Sequence, residues 1–286
     1  MLWVGSSAVP GGVVGVDAAG AYGDSPQKPF ATMEYATNQC SDNRGDVVEV
    51  LPNHTETIDA ASDLNLDVAG VHYYGLGYGS TRPTINYTTA VGADMNVGAA
   101  DVMMTNFLFT GGVDALTGPI DVNAADFHLL NCEWRDVTGQ ATDVIVADAN
   151  ADRMLIDGLR FDGAAAAGAN SAIALIGCDR VTIKNSIFDG NFAVGAIDVR
   201  TTAATDLEVH HCRCRNRHSV DIFLIDTVTG STGMIGPNIY IRIADNAANI
   251  TEAITGATFV YFDDIYIVNL AGEKALLTNK TASTDA

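Results

Sequence analysis

Residues 151–163 read ADRMLIDGLRFDG, and nearly the same phrase returns at 178–190 as CDRVTIKNSIFDG, 27 residues later. A chain that repeats itself at this interval is built from units too small to bury a core alone, so the units must stack. Aligning the sequence on one aromatic or sulfur-bearing position brings five segments into register at Phe109, Trp134, Phe161, Phe188 and Cys214. They are separated by 25, 27, 27 and 26 residues. Five positions earlier stand Met104, Leu129, Ile156, Ile183 and Val209, and seven positions earlier Val102, Phe127, Met154, Val181 and Leu207.

The alternation of these two columns is the period of a β-strand with one apolar face. The phase then slips, because Phe107, Cys132, Leu159, Ser186 and Cys212 lie two residues before the anchor. The backbone must therefore turn a corner while both apolar sets keep facing inward. At the corner stand Asn106, Asn131, Gly158, Asn185 and His211. Asn and Gly are the residues that tolerate left-handed backbone. Stacked asparagines are also expected to bond one another as a ladder, alongside the ladder of Phe109, Trp134, Phe161 and Phe188.

A further short strand separates consecutive anchors: PIDV at 119–122, DVIVAD at 143–148, AIALIG at 172–177, AIDVRT at 196–201 and DIFLID at 221–226. Two or three short strands per unit, joined by Gly, Asn, Asp and Ala corners and stacked at about 4.8 Å, make an all-β, single-stranded right-handed parallel β-helix. A leucine-rich-repeat horseshoe has an overlapping period, but these columns hold Val, Ile, Met and Phe and no helical half-repeat follows. Residues 46–268 then hold eight or nine coils, a rod on the order of 40 Å long. The organisation reads as an extended arm at 1–22, a capping segment with a helix at 23–45, the β-helix at 46–245, and closing strands and tail at 246–286.

The helix signal comes from Phe30, Met33, Ala36, Thr37 and Cys40, with Pro29 suited to a first turn. Such a helix would cover the open edge of the first coil. Past Gly236 the anchor column fades; NIYIRIADN at 238–246 reads as a last coil and TFVYFDDIYIVNL at 258–270 as a strand that closes the end or pairs with a neighbour. NKTASTDA reads as a mobile tail.

SPQKPFATMEYA, then RGDVVEVLPN, then GVHYYGLGYGSTRPTI at 70–85 resemble the start of right-handed parallel β-helix proteins of the pectate-lyase-like superfamily, and in particular structural proteins of tailed bacteriophages. The resemblance covers residues 20–245. It implies a virion structural protein on the particle surface, a capsid decoration or head-spike protein rather than a tail spike, with phage capsid or tail proteins and other copies of itself in a homotrimer as partners. No cofactor is expected. The alternative within the same superfamily is a tail spike or pectate-lyase-like enzyme that binds or cleaves polysaccharide.

The charge bears on partners. Thirty-five acidic residues against fifteen basic ones give a formal charge of -20, which repels nucleic acid and anionic membranes. Five cysteines, with no CxxC spacing, read as free thiols rather than a disulfide framework or zinc ribbon. The N-terminus MLWVGSSAVPGGVVGV lacks a basic segment and is broken by Pro10 and glycines, so it reads as neither secretory signal nor membrane span.

For an enzyme the best acidic pair is Asp162 and Asp189, each in an FDG turn and one coil apart, a separation compatible with a retaining carboxylate pair. The same context makes each a natural turn residue. The Gly-His-Gly turn of polygalacturonase-type enzymes and the Arg-x-Pro-x-x-Arg element of pectate lyases are absent, so no catalytic residue is assigned. In VHHCRCRNRH at 209–218 the cysteines point inward, and Arg213, Arg215 and Arg217 outward. The arginines either dock an acidic neighbour or pair with acids of the adjacent coil. Tyr73, Tyr74, Tyr78 and Tyr87 either stack on sugar rings or pack into the early coils. The recurring Asp101, Asp126, Asp152, Asp179 and Asp206 close a turn through bonds to backbone amides; a calcium ladder would need a GGxGxDxUx repeat, which is missing. No metal site is assigned.

Overall fold

The computed structural model describes residues 1–6, 14–20, 22–219, 222–242, 252–270 and 273–278. Strands dominate, and they fall into three sheets of ten, ten and eight strands. We number the sheets in the order the chain visits them. One coil runs through Leu155–Asp157 in sheet one, Arg160–Asp162 in sheet two and Ser171–Leu175 in sheet three. The next coil starts at Thr182–Lys184, directly on top of Leu155–Asp157 and parallel to it. Repeated from Val47 onward, this path gives a β-solenoid of about eight turns.

The predicted columns are strand registers. Phe109, Trp134, Phe161, Phe188 and Cys214 are successive partners in sheet two. Met104, Leu129, Ile156, Ile183 and Val209 are successive partners in sheet one. All ten side chains are buried. Each buried Phe contributes ~1.5–3 kcal/mol of apolar transfer, so the stack is the main source of cohesion. The column also runs on past the point where the sequence pattern fades: Cys214 pairs with Tyr240, and Tyr240 with Tyr266.

The corner between sheets one and two is left-handed in five successive coils, with φ of 67° at Asn106, 52° at Asn131, 74° at Gly158, 51° at Asn185 and 55° at His211. Glycine suits 158, since φ is 74° there and a Cβ would lie 2.7 Å from Asn131 Oδ1, so that side chain would have to shift. The expected ladder of Asn106, Asn131 and Asn185 is not formed. The left-handed turn aims these side chains elsewhere: Asn106 Nδ2 donates to the carbonyls of Gly75 (2.7 Å) and Gly77 (2.9 Å), and Asn185 Nδ2 to Asp157 Oδ1 at 2.8 Å. An asparagine ladder exists on sheet three instead, where Asn96 donates to Asn65 at 2.7 Å and Asn123 to Asn96 at 2.8 Å.

The corner between sheets three and one is also left-handed, at Asp101, Asp126, Arg153, Arg180 and Asp206. Where Arg takes that position the Asp moves one residue earlier and bonds backbone on the next coil. Asp152 accepts the N–H of Asp179 at 2.8 Å, and Asp179 that of Thr205 at 2.9 Å.

The N-terminal end differs from expectation in detail. Within the capping segment at 23–45, all of it described, only Met33–Thr37 is helical, with the Thr32 hydroxyl accepting the Tyr35 N–H at 3.1 Å as its N-cap. Thr37 bonds back to the Met33 carbonyl at 2.9 Å, and the turn formers that follow it end the helix after little more than one turn. So short a segment cannot cover the coil end alone. The strand Leu2–Val4 pairs in parallel with Val47–Val50, and its far edge is met by Gly23 and Phe30, with Trp3 N–H bonded to Gly23 O at 2.9 Å and Phe30 N–H to Trp3 O at 2.8 Å. Glu56 occupies the anchor column in the first coil. Buried there, it accepts the helix's Met33 N–H and His54 Nε2, both at 2.8 Å.

At the other end, 258–270 is two strands rather than one. Thr258–Tyr261 extends sheet one and Ile265–Leu270 extends sheet two, with Asp263 at φ 31° between them. Glu273–Thr278 then pairs antiparallel with Ile265–Leu270. Residues 243–246, expected to finish a last coil, and 279–286, expected to form a mobile tail, lie outside the described residues.

Candidate functional site

The outer face of sheet two carries most of the chemistry the sequence singled out. Outward positions alternate with the buried anchors, so two columns face away from the core. One runs Glu133, Arg160, Ile187, Arg213 and Ile239; beside it run Arg135, Asp162, Asp189 and Arg215.

Asp162 and Asp189 are register partners on adjacent coils, as the spacing required. Their surroundings differ from those of a catalytic pair. Asp189 is gripped by two guanidiniums: Arg215 contacts both its oxygens, with Nε to Oδ1 at 2.8 Å, and Arg217 reaches Oδ1 at 2.6 Å. The hydrogen bond to Asp189 in turn pushes the Arg215 pKa further up. A carboxylate whose lone pairs are committed to two cations is a poor base and a poor nucleophile. Asp162 is half exposed and meets Arg160 only at 3.9 Å. The three arginines thus divide. Arg215 and Arg217 are held by an acid of the neighbouring coil, whereas exposed Arg213 has no ion pair among the described residues.

Cys212 and Cys214 face the core, and burial pushes the Cys212 thiol up to about 12. His210 and His211 lie outside, 2.7 Å apart through their Nδ1 atoms, with burial and the His211 charge lowering the His210 pKa. Among the described residues no group of three His, Cys, Asp or Glu side chains is placed to hold a metal ion. Of the four tyrosines, Tyr73 and Tyr87 are core residues, while Tyr74 and Tyr78 are 48% and 85% exposed. Tyr78 rides on the loop that makes the second coil longer than its neighbours.

Three charged groups had no signal in the sequence. Arg82 reaches across a whole coil from the second to the fourth, onto nearly buried Glu133, which also accepts Arg135 Nε at 2.6 Å. On the outside of sheet three, Ala172 and Ile173 both donate to the carbonyl of Ala196, at 3.1 and 3.0 Å. This bulge turns both residues inward. Arg200 lies nearby with its two terminal nitrogens on Asp143 (2.9 Å) and Asp198 (3.2 Å), both nearly buried. Asp136 sits where the chain leaves sheet two in the fourth coil. Both its oxygens and the Trp134 indole nitrogen are buried without completing a direct hydrogen bond. Burial raises the Asp136 pKa to about 6, against the opposing pull of the Ala164 and Ala169 N–H groups and the Trp134 indole.

No helix among the described residues is long and apolar enough to cross a membrane. Compared with protein families, curated proteins and solved structures, the chain finds no match.

Proposed function

We propose that this chain is a structural component of a tailed-bacteriophage particle, a stiff β-solenoid block carried on the virion surface as a capsid decoration protein. The reading begins from the resemblance at residues 20–85. The observation that supports it best is the treatment of the one acidic pair suited to catalysis: Asp189 is spent on Arg215 and Arg217 and serves to tie two coils together. A solenoid whose surface charges brace its own coils is suited to bearing load and resisting proteases. The partners are phage capsid or tail proteins and other copies of the chain, in a homotrimer.

A second reading, a polysaccharide-binding or -cleaving tail spike, is favoured by the exposed Tyr74 and Tyr78. Quantitative mass spectrometry of purified particles separates the two, with hundreds of copies per particle expected for decoration and a few for a tail spike. Release of reducing ends or unsaturated products from acidic polysaccharides, abolished by Asp162→Asn, would sink the structural reading.

A further inference from the structure

The basic residues of this acidic chain are gathered unevenly. Of fifteen Lys and Arg residues, six lie on or fold over the outer face of sheet two: Arg82, Arg135, Arg160, Arg213, Arg215 and Arg217. Among the described side chains there, Glu133, Asp162 and Asp189 offset them. The face therefore carries a net positive charge in a molecule of formal charge -20. In a three-sheet solenoid the corner between sheets three and one lies opposite sheet two. That corner carries a carboxylate in every coil from Asp101 through Asp126, Asp152 and Asp179 to Asp206. Arg153 folds onto Asp126 and Arg180 approaches Asp152 at 3.8 Å, while exposed Asp101 and Asp206 have no ion-pair partner among the described residues.

We propose that the outer face of sheet two binds the acidic corner of a second copy of this chain, so that copies associate side by side. The idea rests on the structural reading above and names its self-contact. Signs match: a cationic, partly apolar face meets a carboxylate row. Both features are set by the coil rise: Arg160 and Arg213 stand two coils apart, ~10 Å, and the two unpaired corner carboxylates, Asp101 and Asp206, stand four coils apart, ~19 Å, so the carboxylates bracket the arginine pair rather than meet it one to one. Between the two arginines Ile187 is 39% exposed and supplies an apolar centre to the contact. Two different surfaces meet, so the contact is heterologous and builds a ring or an open row. Complementary charge fixes which faces meet and makes the association salt-dependent.

The test is sedimentation of the full chain at low and high salt, with paired charge reversals. Arg153 and Arg180 already occupy the left-handed corner position at φ 58°, so Asp101→Arg and Asp206→Arg place a side chain the backbone accommodates. Wild type is expected to associate at about 20 mM NaCl and to return to the monomer mass at about 500 mM, where the Debye length falls to ~4 Å. Arg160→Glu with Arg213→Glu should be monomeric, and so should Asp101→Arg with Asp206→Arg. Mixing the two variants should restore association. Circular dichroism on each variant checks that it is folded. A wild type that is monomeric at both salts overturns the proposal, as does a mixture that stays monomeric while wild type associates. Copy number in particles is a separate readout, so a chain that enters particles without self-associating removes only this contact.

Discussion

Asp136→Asn should stabilise the protein at neutral pH and lose that advantage in acid. Burial raises the Asp136 pKa from 3.8 to about 6 in the folded chain. Between those values the folded state binds more protons than the unfolded state, so stability falls as pH rises from about 4 to about 6 and stays reduced above that. The shift of about two units corresponds to ~3 kcal/mol at most, at about 1.4 kcal/mol per unit. Asparagine removes the buried charge while keeping the shape of the side chain and a carbonyl oxygen turned toward the Ala164 and Ala169 N–H groups, whose pull opposes the effect of burial. We expect the variant to exceed wild type by ~1–3 kcal/mol at pH 7.5 and to match or trail it at pH 4. Urea unfolding of both proteins across this range is the assay. Titration of the other carboxylates cancels in the difference between them. A difference that does not change with pH, or one that moves toward wild type as pH rises, would refute the argument that burial dominates at this carboxyl.

Two further substitutions probe the packing account. Arg200→Met leaves Asp143 and Asp198 facing each other nearly buried without their cation, and chemical denaturation should register a loss of ~3–5 kcal/mol at neutral pH that shrinks in acid. Gly158→Ala meets both a φ of 74° and a close approach to Asn131, so it should cost ~1–3 kcal/mol, whereas Asn185→Gly at the same corner one coil on should cost well under half of that.

Much of the fold was legible because a solenoid writes its contacts at a fixed sequence interval. Phe161 and Phe188 are 27 residues apart because one coil takes 27 residues at that point, and their pairing follows from counting. The left-handed corners were legible for the same reason, since Asn and Gly recur where a right-handed backbone cannot close the turn. What repeats by geometry without repeating residue types was hidden. Tyr240 continues a column of Phe and Cys, and Glu56 begins it, because its carboxylate is needed by the Met33 N–H rather than by the coil above.

The candidate site was legible only in part. The outward phase of Arg213, Arg215 and Arg217 followed from the strand period, but their division did not. Which arginine reaches Asp189 depends on side-chain length across the coil rise, a distance no periodicity records. Asp136 and Arg200 sit in connections and at a bulge, outside the repeating columns, and part of what surrounds each comes from far along the chain, Ala164 28 residues from Asp136 and Asp143 57 residues from Arg200. The short helix was overestimated because Phe30, Ala36 and Cys40 fall at helical spacing while also serving a bridge, a single turn and its exit.

The central claim is that successive coils add a constant step along one rod. Nitroxide labels paired between Thr55 and, in turn, Arg160, Ile187 and Arg213 sample a single outward column of sheet two at separations of four, five and six coils. Pulsed electron spin resonance should return distances of about 19, 24 and 29 Å, rising by ~4.8 Å per coil. Distances that fail to rise in equal steps, or that fall as the coil number increases, would contradict the stacked solenoid.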